Sequence, residues 1–159
     1  MRILLGLIMV AMSTYLGYLF SLKYTTKKNF YCDFLTFHKK LKNEVSFSSN
    51  SVQSIVAMSL ERNAKSQFNS VLDCYFNKNS KKDFKLDKHV FSNDDREYVE
   101  KYMENIGALD KKTQLEFLSS CDAEIKEKVD KCEINAKKYK SLCVKLGFLI
   151  GLIRMIILI

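Results

Sequence analysis

The residues able to do chemistry are few and scattered. The five cysteines are Cys32, Cys74, Cys121, Cys132 and Cys143. Their number is odd, no two are close and none forms a C-x-x-C pair, so they are neither a disulfide framework nor a zinc site. Cys121, Cys132 and Cys143 stand eleven apart, about three helical turns, and are expected on one face as buried small hydrophobes. Reduced thiols fit a cytosolic compartment. His38 and His89 are far from chelate spacing. Asp94, Asp95 and Glu97 cluster where a helix should start, and acids there complement the helix dipole. There is no phosphate loop, no G-x-S-x-G and no H-E-x-x-H. The sequence predicts binding and assembly rather than catalysis, with no cofactor and no metal.

A second set of residues has helical spacing. Ser13, Gly17 and Ser21 repeat every four positions in ILLGLIMVAMSTYLGYLFSL. Gly147 and Gly151 do the same in LGFLIGLIRMIILI, and Arg154 follows at helical spacing. Small residues four apart let two helices approach closely. These five small residues and Arg154 are the candidate interaction residues. The expectation is that the Gly147/Gly151 face packs on the Ser13/Gly17/Ser21 face. It could do so within one subunit or between subunits, which admits a homo-oligomer. Arg154 is a charge in an apolar run, a functional hypothesis by default. It is expected to snorkel outward or to meet an acid of another protein.

These faces need elements to carry them. Residues 3–22 hold no charge, and twenty helical residues span roughly 30 Å, the thickness of a hydrocarbon core. Fourteen residues from 146 span only about 21 Å. Tyr15, Tyr18 and Tyr24 lie toward the Lys23 end, as an aromatic belt would. The expected organisation is a transmembrane helix over 1–22, a cytoplasmic α-helical domain over 23–145 and a membrane segment over 146–159. Lysines flank the central part on both sides, which by the positive-inside rule puts it in the cytoplasm. Basic residues interspersed with acids, without an arginine and aromatic cluster, argue against nucleic acid.

The central part reads as helices throughout, and the chain has no proline. Phe30, Phe34, Phe37, Leu41 and Val45 form one apolar stripe. SSNS at 48–51 is a loop, with Asn50 or Ser51 as a cap for the next helix, which could break near Asn63. NKNSKKDFKLDK is a polar connection. Ser92 to Asp95 is a capping box, Gly107 a helix stop and Asp110 the next N-cap. From Leu115 to Leu146 one stripe runs without a break into the apolar tail, with i,i+4 pairs such as Glu133 to Lys137. The fold class is therefore all-α, a helical bundle between two apolar helices.

The order of these parts resembles the stage III sporulation protein AB family. The likeness rests on Gly6 with STYLGY at 13–18 and on FHKKLKNEVSF at 37–47. It continues through Asp95 to Gln114, with Ile106, Gly107 and Asp110 in register, and through the run from Tyr139. It covers nearly the whole chain and is weakest over 48–92. SSNSV departs from the family pattern, and Arg154 stands where the family is usually apolar. The resemblance implies a non-enzymatic membrane component of the complex linking mother cell and forespore, similar to the platform proteins of type II secretion systems. Its implied partners are the sporulation AA ATPase, the other stage III A proteins and the lipid bilayer of the mother-cell membrane facing the forespore. The rival expectation is a secreted or surface helical binding protein with a cleaved N-terminal signal.

Overall fold

The computed structural model describes residues 2–47, 52–62, 66–76, 86–106 and 108–158. Among these residues there are five helices and no strand: α1 (Arg2–Phe47), α2 (Val52–Arg62), α3 (Gln67–Phe76), α4 (Asn93–Asn105) and α5 (Lys111–Leu158). The fold is all-α, as the patterning predicts. The expected loop at 48–51, the residue Asn63, most of the lysine-rich connection and Gly107 lie outside the described residues.

One helix, α1, is longer than the sequence reading divides it. α1 carries the apolar segment and the Phe30 to Val45 stripe in one 46-residue helix. No proline or glycine separates the two parts, so the backbone hydrogen bonding has no reason to stop. α5 runs 48 residues and takes the apolar tail with it, as its unbroken stripe predicts. The chain packs as two compact units, Met1–Lys28 with Lys131–Ile159, and Asn29–Asp130.

The second unit is built around aromatic rings. Phe30, Tyr31, Phe34, Phe68, Tyr102 and Leu118 are almost fully buried. Phe34 stacks on Phe68 at 5.1 Å and meets Tyr102 edge-on at 4.7 Å, while Phe30 meets Phe91 at 4.8 Å. Such pairs add about 0.5–1.5 kcal/mol each beyond their buried area. Behind them lie Leu41, Ile55, Leu72, Met103 and Ile125.

Local signals set the helix ends. The Ser92 hydroxyl accepts from the Asp95 amide at 3.2 Å, and an Asp95 carboxylate oxygen accepts from the Ser92 amide at 3.0 Å. This reciprocal capping box starts α4 as expected. Asp110 starts α5, its carboxylate accepting from the Thr113 amide at 3.3 Å. Glu133 and Lys137 pair at 2.9 Å across one turn. The α5 stripe is buried from Leu118 through Ala136, but Leu146 is 54% exposed and Gly147 takes the inward position. A strict 3-4 spacing drifts around a long helix, which moves the buried line off Leu146.

Candidate functional site

In the first unit the start of α1 and the end of α5 lie side by side and antiparallel. The Ser13 hydroxyl donates to the Gly147 carbonyl oxygen at 2.8 Å. A Cβ at Gly147 would stand 2.7 Å from the Ser13 carbonyl oxygen and 3.3 Å from the Cα atoms of Gly17 and Thr14. One at Gly151 would stand 2.8 Å from the Cα of Val10, and one at Gly17 would run into the Cys143 carbonyl. At these three positions backbone meets backbone, and only a residue without a Cβ fits. At Gly6 the neighbour is instead the Met155 side chain, whose Cγ would be 2.8 Å away.

Three of the six candidate residues therefore meet directly, Ser13 and Gly17 from α1 and Gly147 from α5, while Gly151 meets Val10. Ser21 is fully buried, but its hydroxyl turns back to the Tyr18 carbonyl at 2.7 Å. Arg154 is exposed, and no hydrogen bond or ion pair holds it among the described residues. Met155, not Arg154, continues the seam toward Gly6. Sequence reasoning passed over Gly6, Val10, Cys143 and Met155 as seam residues. The signal was present, since Gly6 and Val10 carry the helical spacing of Ser13 and Gly17 back toward the N-terminus.

Away from the seam the pair is apolar on the outside. Leu7, Phe20, Leu149, Ile153 and Ile157 are all more than half exposed. An open groove of about 750 Å³ runs along the pair between Leu7, Ala11, Tyr15 and Tyr18 on one side and Val144 and Phe148 on the other. Monomeric water-soluble proteins rarely expose so continuous an apolar surface. Among the described residues α1 is the one helix long and apolar enough to cross a membrane, by length and composition. By the same measure the described part of α5 is not counted as a span. Where the apolar stretch of α1 ends, Tyr24 stacks on Tyr139 with ring centroids 4.6 Å apart. Lys23 lies over the first ring at 5.0 Å and Lys138 over the second at 5.8 Å.

The second unit holds a polar cluster that the sequence did not announce. His38 is completely buried. Its Nδ1 lies 2.7 Å from the Tyr102 hydroxyl and its Nε2 lies 2.8 Å from an Asp122 carboxylate oxygen. The other Asp122 oxygen accepts from Lys42. The network fixes the tautomer: Nε2 donates to the carboxylate and Nδ1 accepts from the phenol. Burial lowers the His38 pKa, with the hydrogen bond to Asp122 opposing it. Hydrogen bonding from Lys42 holds the Asp122 carboxyl below its ordinary value, and burial pushes the Tyr102 phenol up. Tyrosine, histidine and aspartate in a row suggest a proton relay, but Tyr102 is sealed in the core at 1% exposure. A relay needs its reactive end within reach of a substrate. The cluster instead pins α1, α4 and α5 together. A second pin joins α1 to α4, where Tyr31 donates to Asp95 at 2.6 Å. Asp95, one of the clustered acids, thus serves the cap and the core at once. Among the described residues, no group of three metal-ligating side chains converges.

Neither a curated protein nor a solved structure matches the chain. The family described as stage III sporulation protein AB matches residues 2–159, which takes in both units. The chain thus belongs to the stage III sporulation protein AB family.

Proposed function

We infer that this chain is a non-enzymatic membrane platform of the sporulation complex between mother cell and forespore, and that its helical domain docks a cytoplasmic ATPase. Family membership gives it a role in sporulation. The observation that carries the platform reading is the close antiparallel packing of α1 and α5. The two helices keep their glycines inward and their large apolar side chains outward, the arrangement lipid favours. Both apolar ends then lie in the membrane, with Lys145 and Arg154 extending toward the headgroups. The Asn29–Asp130 unit lies in the cytoplasm and offers a charged helical surface to the AA ATPase and to other stage III A proteins.

The cleaved-signal alternative fits the packing less well, since removing the start of α1 would strip Gly147 and Gly151 of their neighbours. Copurification with the AA ATPase from sporulating cells tests the docking. Its loss under conditions that leave both proteins intact counts against the platform. Protease treatment of sealed, right-side-out vesicles tests the sidedness, and cleavage within 29–130 would reverse it.

A further inference from the structure

We propose that the Tyr24–Tyr139 stack and the lysines around it form a binding site for the headgroups of anionic phospholipids. The proposal rests on the reading that the α1/α5 pair lies in a membrane. Charge is divided unevenly between the two units. The first holds ten basic residues and a single acid, Glu133, while Asn29–Asp130 holds sixteen basic and seventeen acidic residues. The whole positive excess of the chain therefore belongs to the helix pair. Seven of those ten cations lie in two short stretches, Lys23, Lys27 and Lys28 on α1 and Lys131, Lys137, Lys138 and Lys140 on α5. The one acid among them is already engaged by Lys137.

The rings bring the two stretches together. Tyr24 and Tyr139 stack at 4.6 Å, so Lys23, Lys138 and Lys140 stand within one residue of a shared level. All three are exposed. On the other side of this level Leu22, Phe20 and Leu142 are exposed apolar side chains. Tyrosines belong at such a boundary, where one edge of the ring is apolar and the other wet. Converging lysines that border a lipid-facing surface meet phosphodiester headgroups first. Nucleic acid is the poorer occupant, because a duplex would have to approach against the exposed apolar surface.

The test uses the full chain reconstituted in phosphatidylcholine bilayers. Spin-labelled phosphatidylglycerol and spin-labelled phosphatidylcholine report how strongly each headgroup is retained beside the protein. Phosphatidylglycerol should be preferred. Replacing Lys23, Lys138 and Lys140 by Gln should lower that preference by at least about fivefold, the effect of one lysine at a membrane surface. Arginine at the same positions should restore it, and Lys111→Gln with Lys112→Gln should leave it unchanged. Equal retention of both lipids, or an undiminished preference in the triple variant, overturns the proposal. Displacement of the labelled lipid by inorganic phosphate at matched ionic strength would also overturn it, in favour of a free-anion site. Extraction of the protein by alkaline carbonate would sink the membrane reading itself, an outcome distinct from integration without headgroup preference.

Discussion

Gly147→Ala adds one methyl group where the backbones of α1 and α5 come close together. The new Cβ would start 2.7 Å from the Ser13 carbonyl oxygen, where ordinary contact begins at 3.4 Å. The helices must then part by about 0.7 Å, the difference between those two distances. The Ser13 to Gly147 hydrogen bond, now 2.8 Å, would lengthen toward 3.5 Å, outside useful geometry. Losing it costs about 0.6 kcal/mol in a membrane setting. Overpacking adds about 1–3 kcal/mol. Against this, alanine is the better helix former by about 1 kcal/mol. The balance is a loss of about 0.6–2.6 kcal/mol. Gly6→Ala gains the same helix propensity and meets the Met155 side chain rather than backbone. It should cost less than Gly147→Ala. Both variants can be titrated with sodium dodecyl sulfate in mixed micelles, with near-ultraviolet circular dichroism of the Tyr24–Tyr139 pair as the signal. The seam argument fails if Gly147→Ala unfolds at the wild-type midpoint, or if Gly6→Ala is the more damaging.

Four further outcomes follow from the second unit, with one exposed pair of the first unit as a control. Phe34→Ala removes a ring packed on Phe68 and Tyr102 and should cost about 3–5 kcal/mol in thermal unfolding. His38→Ala leaves the buried Tyr102 hydroxyl without its histidine partner and should cost at least about 1–3 kcal/mol, whereas Lys137→Gln, at an exposed pair, should leave the melt nearly unchanged. Ser92→Ala removes the α4 cap, and a fall of about 1 kcal/mol is expected in the same melt. Stability should also decline as pH drops below about 6.5, because the unfolded chain protonates His38 before the folded chain does. Asp122 adds to the loss at lower pH, since its folded pKa is depressed and its contribution disappears as the carboxylate protonates. A pH series of melts on His38→Gln should lack the first decline and keep the second.

Periodicity made the helices legible, and the capping box at Ser92 and the N-cap at Asp110 were readable from local residue types alone. The small-residue faces were readable for the same reason, because spacing of four is a property of one helix. What spacing on one helix does not carry is its register against another. Arg154 has the right spacing to follow Gly147 and Gly151, yet Met155 meets Gly6, because the seam drifts around the helix as it advances. The His38 cluster was hidden more deeply. Its members lie 64 and 84 residues from His38, on three helices, and each looks alone like an ordinary polar residue. Continuity of α1 is not legible in the sequence, because composition changes near Lys23 and a change of composition need not interrupt a helix.

The bond between Ser13 and Gly147 joins residues 134 positions apart. At about 5–20 residues per second of synthesis, roughly 7–27 s separate the appearance of one partner from that of the other. During that interval Gly17 presents its bare backbone to any neighbour in the nascent environment. The seam between α1 and α5 therefore cannot close until 134 residues beyond Ser13 have been made. A pause or a slow codon after Ser13 lengthens the exposure, and a competing small-faced helix made nearby has its best opportunity then.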